Sequence, residues 1–120
     1  MITIVGAGPI GSYLAYLLAK KGNKVQVYEE HKKIGEPVQC TGILTSEIDN
    51  IIKIPEKIIQ KKINKIRVYS PNKNYIDFNL KNSNYIIDRK EFDKYLHSLA
   101  KKEKVKFIYE KYTNQKADIL

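Results

Sequence analysis

The segment GAGPIGS, residues 6–12, directly follows the apolar run ITIV at residues 2–5. That run is short, continuous and rich in β-branched residues, which predicts a strand buried on both faces. Beyond it, apolar side chains recur at helical spacing, with Pro9 suited to the first helical position and Gly22 to a C-terminal cap. A second strand is predicted over residues 24–30, so we expect a right-handed β-α-β unit with two parallel strands.

The glycines of this segment are spaced as GxGxxG between a predicted strand and a predicted helix. Gly6 permits the sharp turn, Gly8 lets the backbone approach a diphosphate, and Gly11 lets the helix lie close to the strand. A diphosphate there would meet the free N–H groups and the positive dipole end of the helix. Glu29 ends the second strand, where an acidic side chain accepts hydrogen bonds from ribose hydroxyls. Because its carboxylate repels a 2′-phosphate, FAD or NAD is favoured over NADP; the alternative is a structural turn beside a surface glutamate.

The middle of the chain is less regular. Residues 35–43 are predicted to form a loop and residues 45–52 a helix that presents Ile48, Ile51 and Ile52 on one face. Alternating apolar residues over 63–87 predict a three-stranded antiparallel insert, with PNKN and KNSN as the turns between strands.

A strong helix is predicted after the insert, because Asp88 and Glu91 have the spacing of a capping box. Its buried stripe consists of Phe92, Tyr95, Leu96, Leu99 and Ala100. A further strand is predicted over residues 104–110, and ADIL at 117–120 resembles the beginning of another. The predicted fold class is therefore α/β, a Rossmann-like β-α-β unit with a three-stranded antiparallel insert.

Composition narrows the class of protein. At 120 residues the chain has the size of one domain or part of one, and no apolar run approaches the roughly 20 residues of a membrane-spanning helix. The single Cys40 and the absence of a signal-like N-terminus predict a soluble protein of the reducing cytoplasm. A net charge of +9 is compatible with nucleic acid or an anionic membrane, but the lysines are scattered, so we expect no nucleic-acid partner.

Four segments carry a family resemblance. IVGAGPIGS (4–12), VYEEHKKIGEPVQCTGIL (27–44), YIIDRKEFDKYL (85–96) and KADIL (116–120) resemble, in order and spacing, the FAD domain of the geranylgeranyl reductase family, within the p-hydroxybenzoate hydroxylase-like flavoproteins. The pattern GxGxxG, then Glu29, then Gly35 is likewise more similar to FAD-dependent oxidoreductases than to NAD dehydrogenases. All 120 residues would belong to an N-terminal FAD-binding domain.

The resemblance implies an oxidoreductase that uses FAD to saturate isoprenoid double bonds of membrane lipids, at or near a membrane surface. It places Ile10 against the diphosphate and Glu29 on the ribose. Cys40, Thr41, Gly42 and Ile43 match the family's C-[AT]-G loop close to the cofactor. Arg89 matches the arginine of the family's DR..FD segment and is also expected near the cofactor.

Simpler roles exist for two of these residues. Cys40 could be a small buried apolar side chain, and no basic neighbour in the sequence marks it as a thiolate. Arg89 could serve only the helix start, although a cation in a first helical turn opposes the helix dipole. Neither His31 nor His97 has partners at metal-ligand spacing, so no metal site is predicted and the catalytic residues are unknown.

The sequence also departs from the family. After KADIL the family continues into a G-A-D-G segment, and a later G-D motif contacts the flavin; neither is in these 120 residues. We therefore expect a fragment or truncated gene product that is incompetent alone and exposes sheet edges to a completing chain or to self-association. The alternative is a noncatalytic dinucleotide-binding module or a basic module of the membrane surface.

Overall fold

A parallel sheet and an antiparallel sheet lie in separate units of the computed structural model, which describes residues 1–113. The first unit combines Met1–Val38 with the chain from Lys90 onward, and the second is Gln39–Arg89. The predicted α/β class, with a Rossmann-like unit and an antiparallel insert, is confirmed.

The parallel sheet contains β1 (Ile2–Val5), β2 (Val25–Tyr28) and β6 (Lys106–Ile108) in the order β1-β2-β6. The two predicted strands of the β-α-β unit are parallel, with Ile2 opposite Val25. Because β2 is central, its side chains supply the middle of the core of this unit, and small helical residues such as Ala15 and Ala100 belong to the same buried cluster. The buried members of that cluster are Ala7, Ala15, Val25, Val27, Ala100 and Val105.

The expectation that β1 is buried on both faces is wrong for the described residues. Val5 is 62% exposed and Ile2 is 36% exposed. β1 lies at the edge of the sheet, with β2 as its only strand neighbour among residues 1–113. Burial of both faces of β1, which its continuous apolar run predicts, would require further elements packed on it besides those in residues 1–113.

Helix α1 spans Pro9–Lys20 and begins and ends as predicted. Pro9 is the first helical residue, where the missing N–H has no helical acceptor to lose. After the last turn, the N–H of Gly22 donates to the carbonyl of Ala19 at 2.8 Å, and that of Asn23 to Leu18 at 3.1 Å. These two bonds are the pattern of a Schellman cap, which satisfies carbonyls left free at the helix end.

The antiparallel sheet has three strands, but not the predicted ones. Its order is β3-β5-β4, with β3 (Ile43–Leu44), β4 (Ile59–Tyr69) and β5 (Tyr75–Ile87). The PNKN turn is confirmed between β4 and β5. KNSN is not a turn: it lies within β5, where the register jumps from Asn84 opposite Ile63 to Asn79 opposite Lys65. The turn-forming residues are accommodated as a bulge because the long pairing continues on both sides of them.

The predicted helix over residues 45–52 is also wrong. Ser46–Asn50 form a short 3₁₀ helix, and Ile51 beyond it is 60% exposed. Bonds such as Ile48 N–H to the Thr45 carbonyl, 3.1 Å, span three residues and not four. A second 3₁₀ turn occupies Glu56–Ile58.

Helix α2 spans Arg89–Lys102, and the predicted stripe lies largely inside. Phe92, Leu96 and Ala100 are buried, while Tyr95 and Leu99 are partly buried. The predicted strand over 104–110 is confirmed over the shorter β6. ADIL lies outside the described residues. Over residues 1–113 the structure has no helix long and apolar enough to cross a membrane.

Candidate dinucleotide-binding site

The glycine turn connects β1 to α1 by a tight reversal. Gly6 has φ of +97°, a conformation that side chains other than glycine rarely adopt, and its N–H donates to the Tyr28 carbonyl at 2.7 Å. A Cβ at Gly11 would lie 2.0 Å from the Gly6 carbonyl oxygen. The buried Ser12 hydroxyl donates to the Ala7 carbonyl at 2.9 Å. The third glycine of the motif therefore lets the helix pack directly on the turn.

The N-terminus of α1 has no side-chain cap among the described residues. Gly8 occupies the N-cap position. A Cβ added at Gly8 would meet nothing within 4 Å among residues 1–113, so there is room beside this N-cap. Ile10, in the first turn, has an 81% exposed side chain. Uncapped N–H groups and the helix dipole together favour an anion at this position.

Glu29 is fixed against the glycine turn. Its Oε2 accepts the N–H of Ala7 at 2.8 Å, and its Oε1 accepts the N–H of His31 at 2.9 Å. The His31 ring nitrogen Nδ1 also contacts Oε1 at 2.8 Å. Burial raises the pKa of Glu29, but the hydrogen bonds from His31 and Ala7 outweigh it and leave the pKa below its ordinary value. The side chain is therefore an ionised, acceptor-only carboxylate at neutral pH.

Next to Glu29 lies a pocket of about 270 Å³ at the carboxyl ends of the parallel strands. Two tyrosines that the sequence gave no role, Tyr28 and Tyr112, are on its wall with Gly6. Their rings meet edge to face with centroids 5.0 Å apart. The carboxyl ends of parallel strands lie at the same edge of a sheet, where ligands commonly bind. Because Tyr28 directly precedes Glu29 and Tyr112 follows β6 closely, this rule could have identified both tyrosines from the sequence.

Gly35, six residues beyond Glu29, has a packing role. Its φ is +79°, and a Cβ there would lie 2.9 Å from the Lys90 carbonyl oxygen. Glu36, in the same loop as Gly35, forms an ion pair with the Lys90 ammonium, which lowers the pKa of the Glu36 carboxyl. The extended glycine pattern thus reflects a loop that passes close to the first turn of α2.

A second group of predicted site residues lies in the Gln39–Arg89 unit. Gly42 has φ of +73°, and a Cβ there would lie 2.6 Å from the Ile87 carbonyl oxygen and 3.4 Å from Cγ of Arg89. The carbonyl of Gly42 accepts the Ile87 N–H at 2.8 Å, next to the pairing of Ile43 with Ile86. The tight glycine therefore brings Cys40, Gly42 and Arg89 to one place.

Cys40 is exposed, so the alternative of a buried apolar residue is wrong. The N–H of Gly42 lies 3.5 Å from its Sγ, and this hydrogen bond, with a smaller contribution from Arg89, lowers the pKa of the thiol. The basic neighbour absent from the local sequence is supplied by the fold, 49 positions along the chain.

The structure thus collects the predicted residues into two groups, one in each unit. Gly6, Gly8, Ile10, Gly11 and Glu29 form the first, and Cys40, Thr41, Gly42, Ile43 and Arg89 form the second. Their roles toward a cofactor stay predictions.

Known proteins are similar to this chain in sequence and in fold. Residues 4–40 match the family described as NAD(P)-binding Rossmann-like domain. Digeranylgeranylglycerophospholipid reductase 1 of Methanococcoides burtonii is 34% identical over 104 residues, covering 82% of this chain and 26% of the relative. The solved structure of a geranylgeranyl bacteriochlorophyll reductase-like protein from Thermoplasma acidophilum superimposes with a TM-score of 0.77 at 30% identity, over 88% of this chain and 28% of that one. Over about four fifths of its length the chain is therefore similar in sequence to a digeranylgeranylglycerophospholipid reductase.

The match to the geranylgeranyl reductases is partial in length. The chain spans about a quarter of the reductase from Methanococcoides burtonii. It covers 59% of an uncharacterised protein from the nifH2 5′ region of Methanosarcina barkeri, at 31% identity over 111 residues. The shared part includes most of the antiparallel unit, since the alignment with the Thermoplasma structure extends over nearly nine tenths of this chain.

Proposed function

We propose that this chain is the FAD-binding part of a flavin-dependent oxidoreductase that, like geranylgeranyl reductases, saturates isoprenoid double bonds of membrane lipids. The observation that carries the proposal is the hydrogen bond from Ala7 to Glu29, 2.8 Å long. It fixes an ionised carboxylate beside an uncapped helix N-terminus, which are the two elements that recognise an adenosine diphosphate group.

Each part of the first group has a distinct role in this proposal. The N–H groups at the start of α1 donate to the diphosphate across the free space at Gly8. Glu29 accepts hydrogen bonds from ribose hydroxyls while its bond to Ala7 holds it in place, and its charge disfavours a 2′-phosphate. The neighbouring pocket of about 270 Å³ is near the lower end of ligand sites, roughly 300–1,000 Å³, which suits the adenosine half. Tyr112 then offers a ring for the base to contact.

The chemistry of reduction would come from the bound flavin, which in its reduced form would supply a hydride to one alkene carbon while a proton adds to the other. The residues of this chain bind and orient that cofactor. From the family resemblance we propose that Cys40 and Arg89 line the cofactor as well. The lipid substrate, a peripheral position on a membrane, and a completing chain or second copy that pairs with the open edge of β1 are also proposals.

A direct test is calorimetric titration of the chain with FAD and with ADP-ribose. Binding of both ligands is expected, and Glu29→Gln should weaken it roughly tenfold or more, since hydrogen bonds to a charged acceptor contribute about 1.5–3 kcal/mol. The matched control is Glu103→Gln, which removes an exposed carboxylate beyond α2 and should change nothing. Failure of the unaltered chain to bind either ligand would refute the proposed site, and equal binding by Glu29→Gln would remove Glu29 from it.

A further inference from the structure

The Glu29 carboxylate is largely engaged by donors of the protein itself. Oε2 accepts the N–H of Ala7 at 2.8 Å, and Oε1 accepts the N–H of His31 at 2.9 Å. The Nδ1 atom of the His31 ring also lies 2.8 Å from Oε1. Because an ionised carboxylate only accepts hydrogen bonds, this contact requires a proton on Nδ1. Oε1 therefore receives two donors from one residue, and Oε2 receives one donor.

The number of acceptor sites on Glu29 limits what a ribose can bind. An ionised carboxylate offers about four acceptor sites, two on each oxygen. Counting the donors within residues 1–113, the Ala7 N–H leaves one site on Oε2, and the two His31 donors leave none on Oε1. An adenosine ribose presents two vicinal hydroxyls. The observed arrangement can accept one of them, and the second hydroxyl requires a donor to leave.

The His31 ring is the donor that is able to leave. The N–H groups of Ala7 and His31 belong to the backbone, so their bonds to Glu29 break only if the chain itself moves. The His31 side chain is 52% exposed, whereas the Glu29 side chain that it contacts is 14% exposed. Rotation about the side-chain bonds of His31 turns its ring into solvent, where water replaces the lost hydrogen bond. The same rotation uncovers Oε1.

We infer that the His31 ring competes with the adenosine ribose for Oε1 of Glu29 and rotates away when a nucleotide binds. This inference rests on the proposed cofactor site and makes His31 a residue that limits its affinity. The backbone N–H of His31 keeps its bond to Glu29, so the carboxylate stays in place while a hydroxyl replaces the ring. The neutral ring donates through Nδ1 as the protonated ring does, and protonation strengthens a half-exposed pair only slightly. Competition is therefore expected across neutral pH.

The first experiment compares ADP with 2′-deoxy-ADP in calorimetric titrations of the full chain. His31→Ala frees the second acceptor site of Oε1, so ADP should bind roughly threefold to tenfold more tightly, as expected for one net hydrogen bond. The 2′-deoxyribose lacks one of the two hydroxyls, and the free site on Oε2 accepts the other. The variant should therefore bind 2′-deoxy-ADP like the unaltered chain.

The matched control for this comparison is Lys32→Ala, which alters an exposed neighbour of His31. Loss of its charge acts on both nucleotides alike, so the ratio of the ADP affinity to the 2′-deoxy-ADP affinity should stay unchanged. ADP binding by His31→Ala that is equal to or weaker than that of the unaltered chain would overturn the inference. So would an equal gain in affinity for both nucleotides.

The second experiment observes the ring nitrogens of His31 by NMR. Saturation with ADP should move the Nδ1 signal of His31 from the hydrogen-bonded position to that of a histidine in water. The ring of His97 packs on Phe107 with centroids 4.1 Å apart and provides a reference that should not change. A His31 Nδ1 signal that keeps its hydrogen-bonded position in the ADP-saturated chain would overturn the inference.

FAD titration of the same samples separates the two proposals. Normal FAD binding, with the same ADP affinity in the unaltered and His31→Ala chains, would leave the cofactor site standing and refute the competition. Failure of the unaltered chain to bind FAD, ADP-ribose and ADP would refute both, since no ribose would then reach Glu29. Far-ultraviolet circular dichroism of every variant verifies that the fold is intact.

Discussion

Gly11→Ala is expected to destabilise the fold through a single atom. The new Cβ would lie 2.0 Å from the Gly6 carbonyl oxygen and 3.1 Å from its carbon. Both atoms belong to the backbone of a turn that is itself held by the Gly6 N–H bond to Tyr28, 2.7 Å long. The turn has no flexible side chain to move aside, so α1 must shift away from it.

Two opposing effects set the magnitude. Alanine in place of glycine inside a helix contributes about 0.8–1 kcal/mol of stability through propensity. Overpacking of a well-packed contact costs about 1–3 kcal/mol, and a backbone approach this close belongs at or beyond the upper limit. We therefore expect a net loss of about 2 kcal/mol, which for a unit of this size lowers Tm by roughly 8–16 °C.

Gly8→Ala is the matched control within the same turn. Its Cβ would meet nothing within 4 Å, and Gly8 has an ordinary φ of −64°, so no clash is expected. Stability should fall by at most about 1 kcal/mol, the ordinary difference between glycine and alanine at a helix N-cap. The methyl group would, however, occupy the free space before α1 and should weaken FAD binding. Thermal unfolding followed by circular dichroism, with FAD titration alongside, measures both effects. A Gly11→Ala chain as stable as the unaltered one would refute the close packing of α1 on the turn.

Three further predictions concern Glu29, the pocket next to it, and the approach of Arg89 to Cys40. The pKa of Glu29 is lowered in the folded state, so its contribution to stability and to ADP-ribose affinity is complete above the ordinary glutamate pKa. That contribution is lost only as the pH falls through the lowered pKa. ADP-ribose titrations at several pH values measure this, and a decline already near pH 6 would contradict the assignment. Tyr112→Leu should weaken ADP-ribose binding roughly tenfold, since base–aromatic stacking contributes about 1–3 kcal/mol. The control is Tyr109→Leu, which alters a ring outside the pocket and should leave ADP-ribose binding unchanged. Arg89→Met should raise the pKa of Cys40, so alkylation of the Cys40 thiol by iodoacetamide should require a higher pH. Mass spectrometry measures the alkylation. An unchanged pH profile would mean that Arg89 does not act on the thiol.

The β-α-β unit and its site were accessible to sequence reasoning because local chemistry determines them. The GxGxxG spacing, Pro9 at the helix start and Glu29 after the second strand each describe a contact made within about 25 residues. The bond from Ala7 to Glu29 joins two neighbouring strand ends, which is what the motif predicts.

The antiparallel unit was predicted less well because its form depends on pairing between distant residues. Ile48, Ile51 and Ile52 have helical spacing, but the segment forms only one short 3₁₀ helix. The KNSN residues have turn chemistry, yet β4 pairs with β5 on both sides of them and converts the turn into a bulge. A local propensity of this kind yields to a long ladder of cross-strand contacts.

The approach of Arg89 to Cys40 had no local signal at all. It follows from the close contact of Gly42 with Ile87, which joins two segments far apart in the sequence. A cysteine cannot be recognised as activated until the fold supplies its neighbours.

The central position of β2 has a consequence for how the chain acquires its fold. β1, α1 and β2 are contiguous and can associate early, but β6, which pairs with the other side of β2, begins only at Lys106. That pairing closes a long loop which contains the whole antiparallel unit. Loop-closure entropy rises slowly with length, about 0.6 kcal/mol per doubling, so the final sheet loses little stability from the insertion. The long sequence separation instead slows the formation of the β2–β6 pairing. During synthesis, this edge of β2 therefore stays unpaired until α2 and β6 have left the ribosome.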